Sequence, residues 1–437
     1  MLYTLLSQAI AGLSVPATLV FIARNLSPDE QGYYFTFGSV VALQVLVELG
    51  FTQCIVQFVA HEYGHLTLDG TGSVVGPKPN RDRLASIMQL AVRWYLVAAT
   101  LILIALFLAG DWVFPEGEAG AMWKRPWYAL CVATAVAIVV EPFWAVLEGL
   151  NQIRWVAKSR LIVNIAKILA ICGSLEVGAG LMALALATTV SAIGGGVLIG
   201  TRWRRLLVSL IAARVARHDK VSWRSEIWPY QWRIALSWVS GYFIIPIVAP
   251  TVFRQMGAVP AGQFGMTWTI VQASATFGST WMRTRLPSLG VLAGRGDWKE
   301  LESQWRVSAR RSMSFTAIAA LAVVLVVIFF GATGSPISTR LASPGVVALL
   351  AGGVVLSQLV ATHATYLRVQ KSEPFTVVSV LAAATTVALT LTLTPRIGLY
   401  GPAVAFATAS LFCVPVGLLI LRAHARTDPM RVGLPPF

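Results

Sequence analysis

The stretch FIARNLSPDEQGYYFTF, residues 21–37, joins two apolar segments through a short polar hairpin that carries one arginine, Arg24. A related stretch, TVFRQMGAVPAGQFGMT, occurs at residues 251–267. Arg24 stands eight residues before Gly32, and Arg254 stands eight residues before Gly262, so the two hairpins align at an offset of 230 residues. The recurrence indicates an internal repeat, and the composition around it indicates what is repeated.

The composition is that of a polytopic membrane protein. Of the 437 residues, 56% are hydrophobic and 12% are charged, whereas soluble globular proteins carry roughly 25% charged residues. The mean hydropathy is +0.71. The net charge of +15 comes mainly from basic residues between apolar segments. That distribution is typical of cytoplasmic loops and argues against nucleic-acid binding.

Twelve segments are long and apolar enough to cross a membrane as helices, which requires roughly 20 residues each. The connections between them alternate between weakly charged and basic. By the positive-inside rule, both termini and the even-numbered connections are cytoplasmic. The predicted spans are 2–23, 32–60, 86–110, 126–149, 156–176, 180–201, 229–252, 262–289, 310–331, 344–367, 375–394 and 400–421.

A basic segment divides the predicted spans into two sets of six. Its apolar residues recur near the helical period with arginines opposite, which predicts an amphipathic helix lying on the inner leaflet. Six is an even number, so the two halves have the same orientation, and such parallel repeats often form transporters. The predicted domains are an N-terminal six-helix lobe (1–201), a basic amphipathic cytoplasmic linker (202–228) and a C-terminal six-helix lobe (229–437).

Three features together resemble the Wzx-type polysaccharide flippases, a branch of the MOP superfamily of multidrug, oligosaccharide-lipid and polysaccharide transporters. The first is ARNLSPDEQGYYFTFGSVVALQVLVELGFTQCIVQFVA (23–60), with its Leu-Ser-Pro-x-x-x-Gly-x-Tyr turn and acidic-Leu-Gly-Phe middle. The second is RLPSLGVLAGRGDWKELESQWRVSARRS (285–312). The third is the plan of six plus six spans, which covers nearly the whole chain.

The resemblance implies an all-α, MATE-like fold of two pseudo-symmetric six-helix bundles, V-shaped and working by alternating access. It implies that the chain flips polyprenyl-diphosphate-linked oligosaccharide to the outer leaflet of a bacterial inner membrane, for O-antigen, capsule or exopolysaccharide assembly. The implied partners are this substrate, membrane lipids, a coupling proton or sodium ion, and a polysaccharide polymerase with its chain-length machinery. The alternative is a cation-coupled exporter of small organic molecules on the same fold.

Moving a diphosphate through a membrane requires cations where water is scarce, and a guanidinium binds phosphate through paired hydrogen bonds. A charge inside a span is costly and usually faces the interior of the bundle. The alternative is that such side chains snorkel to headgroups. Arg24 and Arg254 rank first because they repeat. The candidate substrate-binding residues are Arg24, Arg254, Arg93, Arg283, Lys167 and Arg233.

Two carboxylates inside predicted spans, Glu48 and Glu141, are the candidate ion-coupling residues, and a structural role is the alternative for each. Glu141 is the expected partner of Lys167, and Glu148 is expected to pair with Arg154 or Lys158.

No enzyme is predicted. The stretch HEYGH at residues 61–65 has the spacing of the zinc motif H-E-x-x-H, but it lies at the predicted end of a span and in the loop that follows, and there is no P-loop. Neither a metal nor a cofactor is expected.

Overall fold

The structure is a computed structural model that describes residues 15, 17–69, 73–114, 120–370 and 375–427. In the first half of the chain, α1 covers residues 17–25 and is followed by six longer helices, one short helix and a small β-ribbon. These elements are α2 (Pro28–Val41), α3 (Gln44–Glu48), α4 (Phe51–Tyr63), β1 (Thr67–Leu68), β2 (Val74–Val75), α5 (Lys78–Val113), α6 (Gly120–Gly149), α7 (Ile153–Glu176) and α8 (Met182–Ala212).

The second half begins after a 3₁₀ turn at Arg217–Asp219 and a π-helical turn at Trp223–Ile227. A second 3₁₀ turn, Pro336–Arg340, lies between α12 and α13. The helices are α9 (Trp228–Ile244), α10 (Val248–Met256), α11 (Ala258–Arg295), α12 (Trp298–Ala332), α13 (Pro344–Val369), α14 (Thr376–Ile397) and α15 (Tyr400–Thr427).

The predicted helical architecture is confirmed, since each predicted span from 32–60 onward coincides with one, two or three helices. The first predicted span, 2–23, lies mostly outside the described residues. Within the described residues, eight helical segments are long and apolar enough to cross a membrane, or nine if α2–α4 is counted as one bent span. The helices α7 and α11 coincide with predicted spans but are too polar to pass that test. The β1–β2 ribbon, paired through Thr67 with Val75, was not predicted.

The described chain forms two compact units. The N-terminal unit comprises residues 24–26 and Phe37–Val239, and the C-terminal unit comprises residues 17–23, Ser27–Thr36 and 240–427. In the N-terminal unit, α6 packs against α4, α5 and α8. In the C-terminal unit, α11 packs against α12 and α13, and α15 packs against α13 and α14.

The first hairpin of the repeat packs directly on the second, within the C-terminal unit. Ser27 and Glu30 form a capping box at the start of α2, with the Ser27 N–H donating to Glu30 Oε2 (2.8 Å) and the Glu30 N–H donating to Ser27 Oγ (3.2 Å). The α2 backbone then crosses the start of α11, where a methyl group on Gly32 would lie 2.8 Å from the Cα of Ala258. The hairpin therefore needs glycine at this position because the two backbones touch.

The second predicted span is broken immediately after Glu48. Leu49 and Gly50 both have left-handed backbone angles (φ 49° and 68°), and the helices on either side are bent by 46°. A branched side chain rarely adopts this conformation, so the break is held by its surroundings. The Gln231 amide donates to the Leu49 carbonyl (3.4 Å), and a side chain at Gly50 would collide with Ile234.

The first part of the predicted amphipathic linker helix is not a separate element. Helix α8 continues through the basic segment to Ala212, and the apolar residues Leu206, Leu207 and Leu210 are buried inside the protein. The Gln89 amide on α5 donates to the carbonyl of Ala213 (2.8 Å), just past the end of α8. This part of the apolar face therefore packs on protein, whereas Ile211 beside it is 40% exposed.

The rest of the linker is also docked on α5. The Val221 N–H donates to Ser86 Oγ (2.9 Å), and Arg83 pairs with Glu226 (2.7 Å) as well as with buried Glu62 (2.9 Å). Burial raises the pKa of Glu226, but the Ser222 N–H and Arg83 stabilise its charged form, so the pKa is lowered overall. The linker is thus fixed to the N-terminal unit.

Candidate functional site

Helix α11 exposes two chemically different faces. Gln272, Thr276, Ser279 and Arg283 recur at helical spacing and form one stripe, with Gln272, Thr276 and Arg283 exposed and Ser279 half-buried. The exposed apolar side chains Phe277, Trp281 and Val291 lie on another side of the helix, and exposed Leu286 lies beside the stripe, three residues after Arg283. Two exposed faces of opposite polarity on one membrane helix have different surroundings, because lipid-exposed polar groups are costly. We call the first set of four residues the α11 polar stripe.

The α11 polar stripe offers a specific set of hydrogen-bonding groups. The hydroxyls of Thr276 and Ser279 donate to carbonyls of their own helix, those of Gln272 (3.2 Å) and Thr276 (3.0 Å). Each hydroxyl oxygen still has lone pairs that can accept from a ligand. Within the described residues, the side chains of Gln272 and Arg283 have no hydrogen-bond or ion-pair partner. The stripe therefore combines acceptors, one amide and one permanent cation.

Helix α7 carries a comparable stripe in the N-terminal unit. Arg160, Asn164 and Lys167 are separated by four and three residues and share one side of the helix. The exposed apolar residues Ile162, Ile165 and Leu169 lie on roughly the opposite side. We call the first set the α7 polar stripe. Lys167 is half-buried and makes no ion pair within the part of the chain that the structure describes.

The expected pairs of the acidic residues on α6 were wrong. Arg160 approaches both Glu148 (3.2 Å) and Glu141 (3.6 Å), so neither Lys167 nor Arg154 is the partner. The guanidinium also lies 5.6 Å from the ring centre of Trp144, between the two acids in sequence. Sequence reasoning missed Arg160 because only the rotation of α7 about its axis decides which of its cations faces α6.

Glu48 sits in a buried polar cluster of the N-terminal unit. Its side chain is buried at the end of α3, next to the left-handed break. It lies close enough to Glu141 and Tyr95 for electrostatic interaction, and the Tyr95 hydroxyl is hydrogen-bonded to Thr52. The two candidate coupling residues, Glu48 and Glu141, are thus brought together, and the structure adds Tyr95 and Thr52, which the sequence did not single out.

The two repeated arginines lie near the carboxyl ends of equivalent helices. Arg24 lies near the end of α1 and Arg254 lies in the last turn of α10, and both are exposed. A cation near the carboxyl end of a helix also stabilises the helix dipole, so this placement has a structural benefit besides any ligand contact.

The remaining candidate arginines are Arg93 on α5 and Arg233 on α9. Arg93 is exposed on the same side of α5 as Val97, Ile104 and Leu108, all of which are exposed. That stripe is typical of a lipid-facing surface and favours the headgroup role for Arg93. Arg233 lies on α9, and its side chain is outside the described residues.

The glutamate of the H-E-x-x-H stretch at residues 61–65 has structural partners. Glu62 is buried, accepts a hydrogen bond from Asn80 (2.9 Å) and pairs with Arg83. Among the residues that the structure describes, no cluster of three or more His, Cys, Asp or Glu side chains could hold a metal ion.

Comparison with solved structures identifies the arrangement of the helices. The chain is similar over 96% of its length to an inward-facing multidrug resistance MATE family transporter of the MOP superfamily, with a TM-score of 0.65 and 14% identity over 96% of that chain. The fold is that of the MATE transporters.

Two further structures agree. An outward-facing MATE transporter matches 98% of the chain with a TM-score of 0.60 and 13% identity, and a MATE protein in a bent conformation matches 98% with a TM-score of 0.54 and 16% identity. Each match covers 94% of the solved chain. No family model and no curated protein matches the sequence. Identities this low establish the fold and leave the substrate open.

Proposed function

We propose that this chain flips polyprenyl-diphosphate-linked oligosaccharide from the cytoplasmic to the outer leaflet of a bacterial inner membrane. The observation that carries the proposal is the pair of polar stripes on α7 and α11, each of which holds a cation, Lys167 or Arg283, without an acidic partner in the described chain. Polar side chains exposed on a membrane helix favour contact with an aqueous space. In the proposal, the stripes contact the headgroup of the substrate.

The chemistry of the stripes suits a glycosylated diphosphate. Hydroxyl oxygens and the amide of Gln272 accept hydrogen bonds from sugar hydroxyls. Arg283 and Lys167 neutralise the diphosphate, with the guanidinium offering paired donors. The prenyl tail stays in apolar surroundings while the headgroup moves along the polar side chains.

The distribution of acids argues against the alternative substrate, a small organic cation. The helices α9–α11 and α13–α15 contain no Asp or Glu. In the N-terminal unit, Glu48 is buried and Glu141 and Glu148 are next to Arg160. A binding site for organic cations requires carboxylates that are accessible and unpaired, so this charge pattern favours an anionic substrate.

Arg24 and Arg254 are proposed to hold the diphosphate near the outer end of the pathway. Their equivalent positions in the repeat supply one guanidinium from each hairpin. Arg233 remains a candidate, and Arg93 is the weakest of the set because of its apolar neighbours.

Glu48 and Glu141 are proposed to couple transport to a proton or sodium gradient. Glu48 stands at a helix break inside a span, and a carboxylate at such a break can take part in binding a coupling cation. In the proposed setting both termini are cytoplasmic, and a polysaccharide polymerase with its chain-length machinery receives the product for O-antigen, capsule or exopolysaccharide assembly.

The test replaces Arg24 and Arg254 singly by Ala and by Lys in cells that depend on the protein for surface glycan. Exposed Arg422, on the last helix, is replaced by Ala as the control. After membrane abundance is matched, we expect the Ala variants to lose surface glycan and to accumulate lipid-linked precursor on the inner face, while Arg422→Ala behaves as wild type. Full activity of both Ala variants would remove these arginines from the proposed site.

The same cells test the function itself. If deletion of the protein leaves surface glycan and precursor unchanged but abolishes export of an organic cation dye, the chain is an exporter and the proposal fails.

A further inference from the structure

A second feature of the C-terminal unit is a partly open cavity of about 240 Å³. Its walls come from the end of α9 and from α13, α14 and α15. The volume is below the range of about 300–1,000 Å³ that is usual for compact drug-sized ligands. None of the candidate site residues lines it.

The cavity extends along helix α13. Its lining on α13 extends from Ser357 to Arg368, eleven residues that rise about 16 Å along the helix. The hydrocarbon of one bilayer leaflet is about 15 Å thick. The length of the lined stretch of α13 is thus similar to the depth of one leaflet.

The lining is apolar in spite of its serines. The hydroxyl of Ser357 donates to the Val354 carbonyl (2.9 Å), and that of Ser379 donates to the Phe375 carbonyl (3.3 Å). Most of the remaining wall consists of aliphatic, alanine and phenylalanine side chains. A ligand that fills this space gains by burying hydrocarbon.

The polar end of the cavity is marked by Arg368. This residue is exposed, as is Ala361 seven residues earlier on the same side of α13, whereas Ala364 and Ala382 are buried. The cavity therefore has an accessible side along α13, and a guanidinium stands at the end next to the predicted cytoplasmic connection between α13 and α14.

From this geometry we infer that the cavity binds the single prenyl chain of the lipid-linked substrate in the inner leaflet, with Arg368 next to its diphosphate. The inference rests on the proposed function and names a tail site that the proposed headgroup residues leave open. A volume of about 240 Å³ along this stretch of α13 is small for two chains, and a membrane phospholipid has two whereas a prenyl phosphate has one. Alanines at Ala361, Ala364 and Ala382 leave room for the methyl branches of an isoprenoid.

The test uses the full-length protein in lipid nanodiscs and a prenyl phosphate with a photoreactive group at the far end of its chain. We expect labelling of peptides from α13, α14 or α15. Ala361→Phe should reduce the yield roughly tenfold, as expected from excluding about two methylene groups from an apolar site. The control is Ala384→Phe, an exposed alanine on α14 that does not line the cavity.

A second variant and a competitor keep the test decisive. Arg368→Gln should also reduce labelling about tenfold, since a charged hydrogen bond to phosphate is lost. Excess unlabelled prenyl diphosphate should displace the probe, and excess phosphatidylglycerol should not. Labelling outside the cavity, equal yields for Ala361→Phe and Ala384→Phe, or equal displacement by phosphatidylglycerol would overturn the inference.

Translocation of lipid-linked oligosaccharide by the wild-type protein is measured in parallel. If translocation occurs while the cavity is not labelled, the tail site is wrong and the proposed function stands. If translocation does not occur at all, the proposed function fails.

Discussion

Replacing Gly32 by alanine tests the account of why the first hairpin recurs. The added methyl group would lie 2.5 Å from the carbonyl carbon of Ala258 and 2.8 Å from its Cα. Ordinary contacts of a Cβ atom begin near 3.4 Å. The start of α2 and the start of α11 would therefore have to separate by more than 1 Å, because the Ala258 carbonyl oxygen is closer still and these backbone atoms cannot rotate away.

The size of the effect follows from two opposing terms. Forcing an additional methyl group into a close-packed contact costs about 1–3 kcal/mol. Exchanging glycine for alanine within a helix gains about 1 kcal/mol. Gly38 lies on the same helix and has no atom within 4 Å of where a Cβ would be placed, so Gly38→Ala keeps only the gain. The difference between the two variants isolates the crossing.

The assay is thermal unfolding of the two purified variants under identical conditions. We expect Gly38→Ala to melt at or above the wild-type temperature and Gly32→Ala to melt below Gly38→Ala by about 1–3 °C, because the unfolding entropy of a 437-residue chain is roughly 0.9 kcal/mol/K and the difference is about 1–3 kcal/mol. Equal midpoints for the two variants would refute the backbone contact between the hairpins.

Three further predictions concern charge. Arg283→Ala should lower transport of lipid-linked oligosaccharide by about 10- to 100-fold through loss of a charged hydrogen bond to phosphate. The control Arg285→Ala, which lies off the α11 polar stripe, should keep the transport rate within about twofold of wild type. Similar losses in the two variants would contradict the role of the stripe. Lys167→Met should leave the melting temperature unchanged or raise it, because a partly buried cation without an ion-pair partner is removed. Transport measured in vesicles should fall. Unaltered transport would mean that Lys167 does not contact the substrate. The lowered pKa of Glu226 stabilises the linker above the ordinary glutamate pKa of 4.5, and this contribution is lost as the pH falls below it. Melting of the wild type between pH 7 and pH 4 should therefore drop more than that of Glu226→Gln, and parallel curves would exclude the Arg83–Glu226 pair as a stabilising contact.

Much of the fold could be predicted from local patterns in the sequence. Apolar length and charge alternation are properties of each segment by itself, so the helices after the first predicted span were found where expected. The recurrence of Gly32 and Gly262 indicated equivalent hairpins. Their direct contact could not be read from the sequence, since spacing shows what is equivalent and does not show what touches.

The candidate site was less predictable because it depends on how each helix is rotated. Glu141 was expected to pair with Lys167, whereas the rotation of α7 presents Arg160 instead. The packing of the linker could not be predicted for a related reason. Leucines at helical spacing are expected both in a helix on the leaflet and in a helix that packs on α5, so the spacing does not distinguish the two. A signal for the α11 polar stripe was available, since Gln272, Thr276, Ser279 and Arg283 recur at helical spacing within a predicted span.

The most direct test of the proposed function is translocation by the purified protein in liposomes. Lipid-linked oligosaccharide is reconstituted in both leaflets, and the fraction accessible to an added glycosidase is followed with time. We expect the accessible fraction to rise from about one half toward completion only in vesicles that contain the protein, and to rise more slowly with Arg283→Ala. An accessible fraction that stays unchanged, in vesicles where the same protein exports an organic cation dye, would contradict the account.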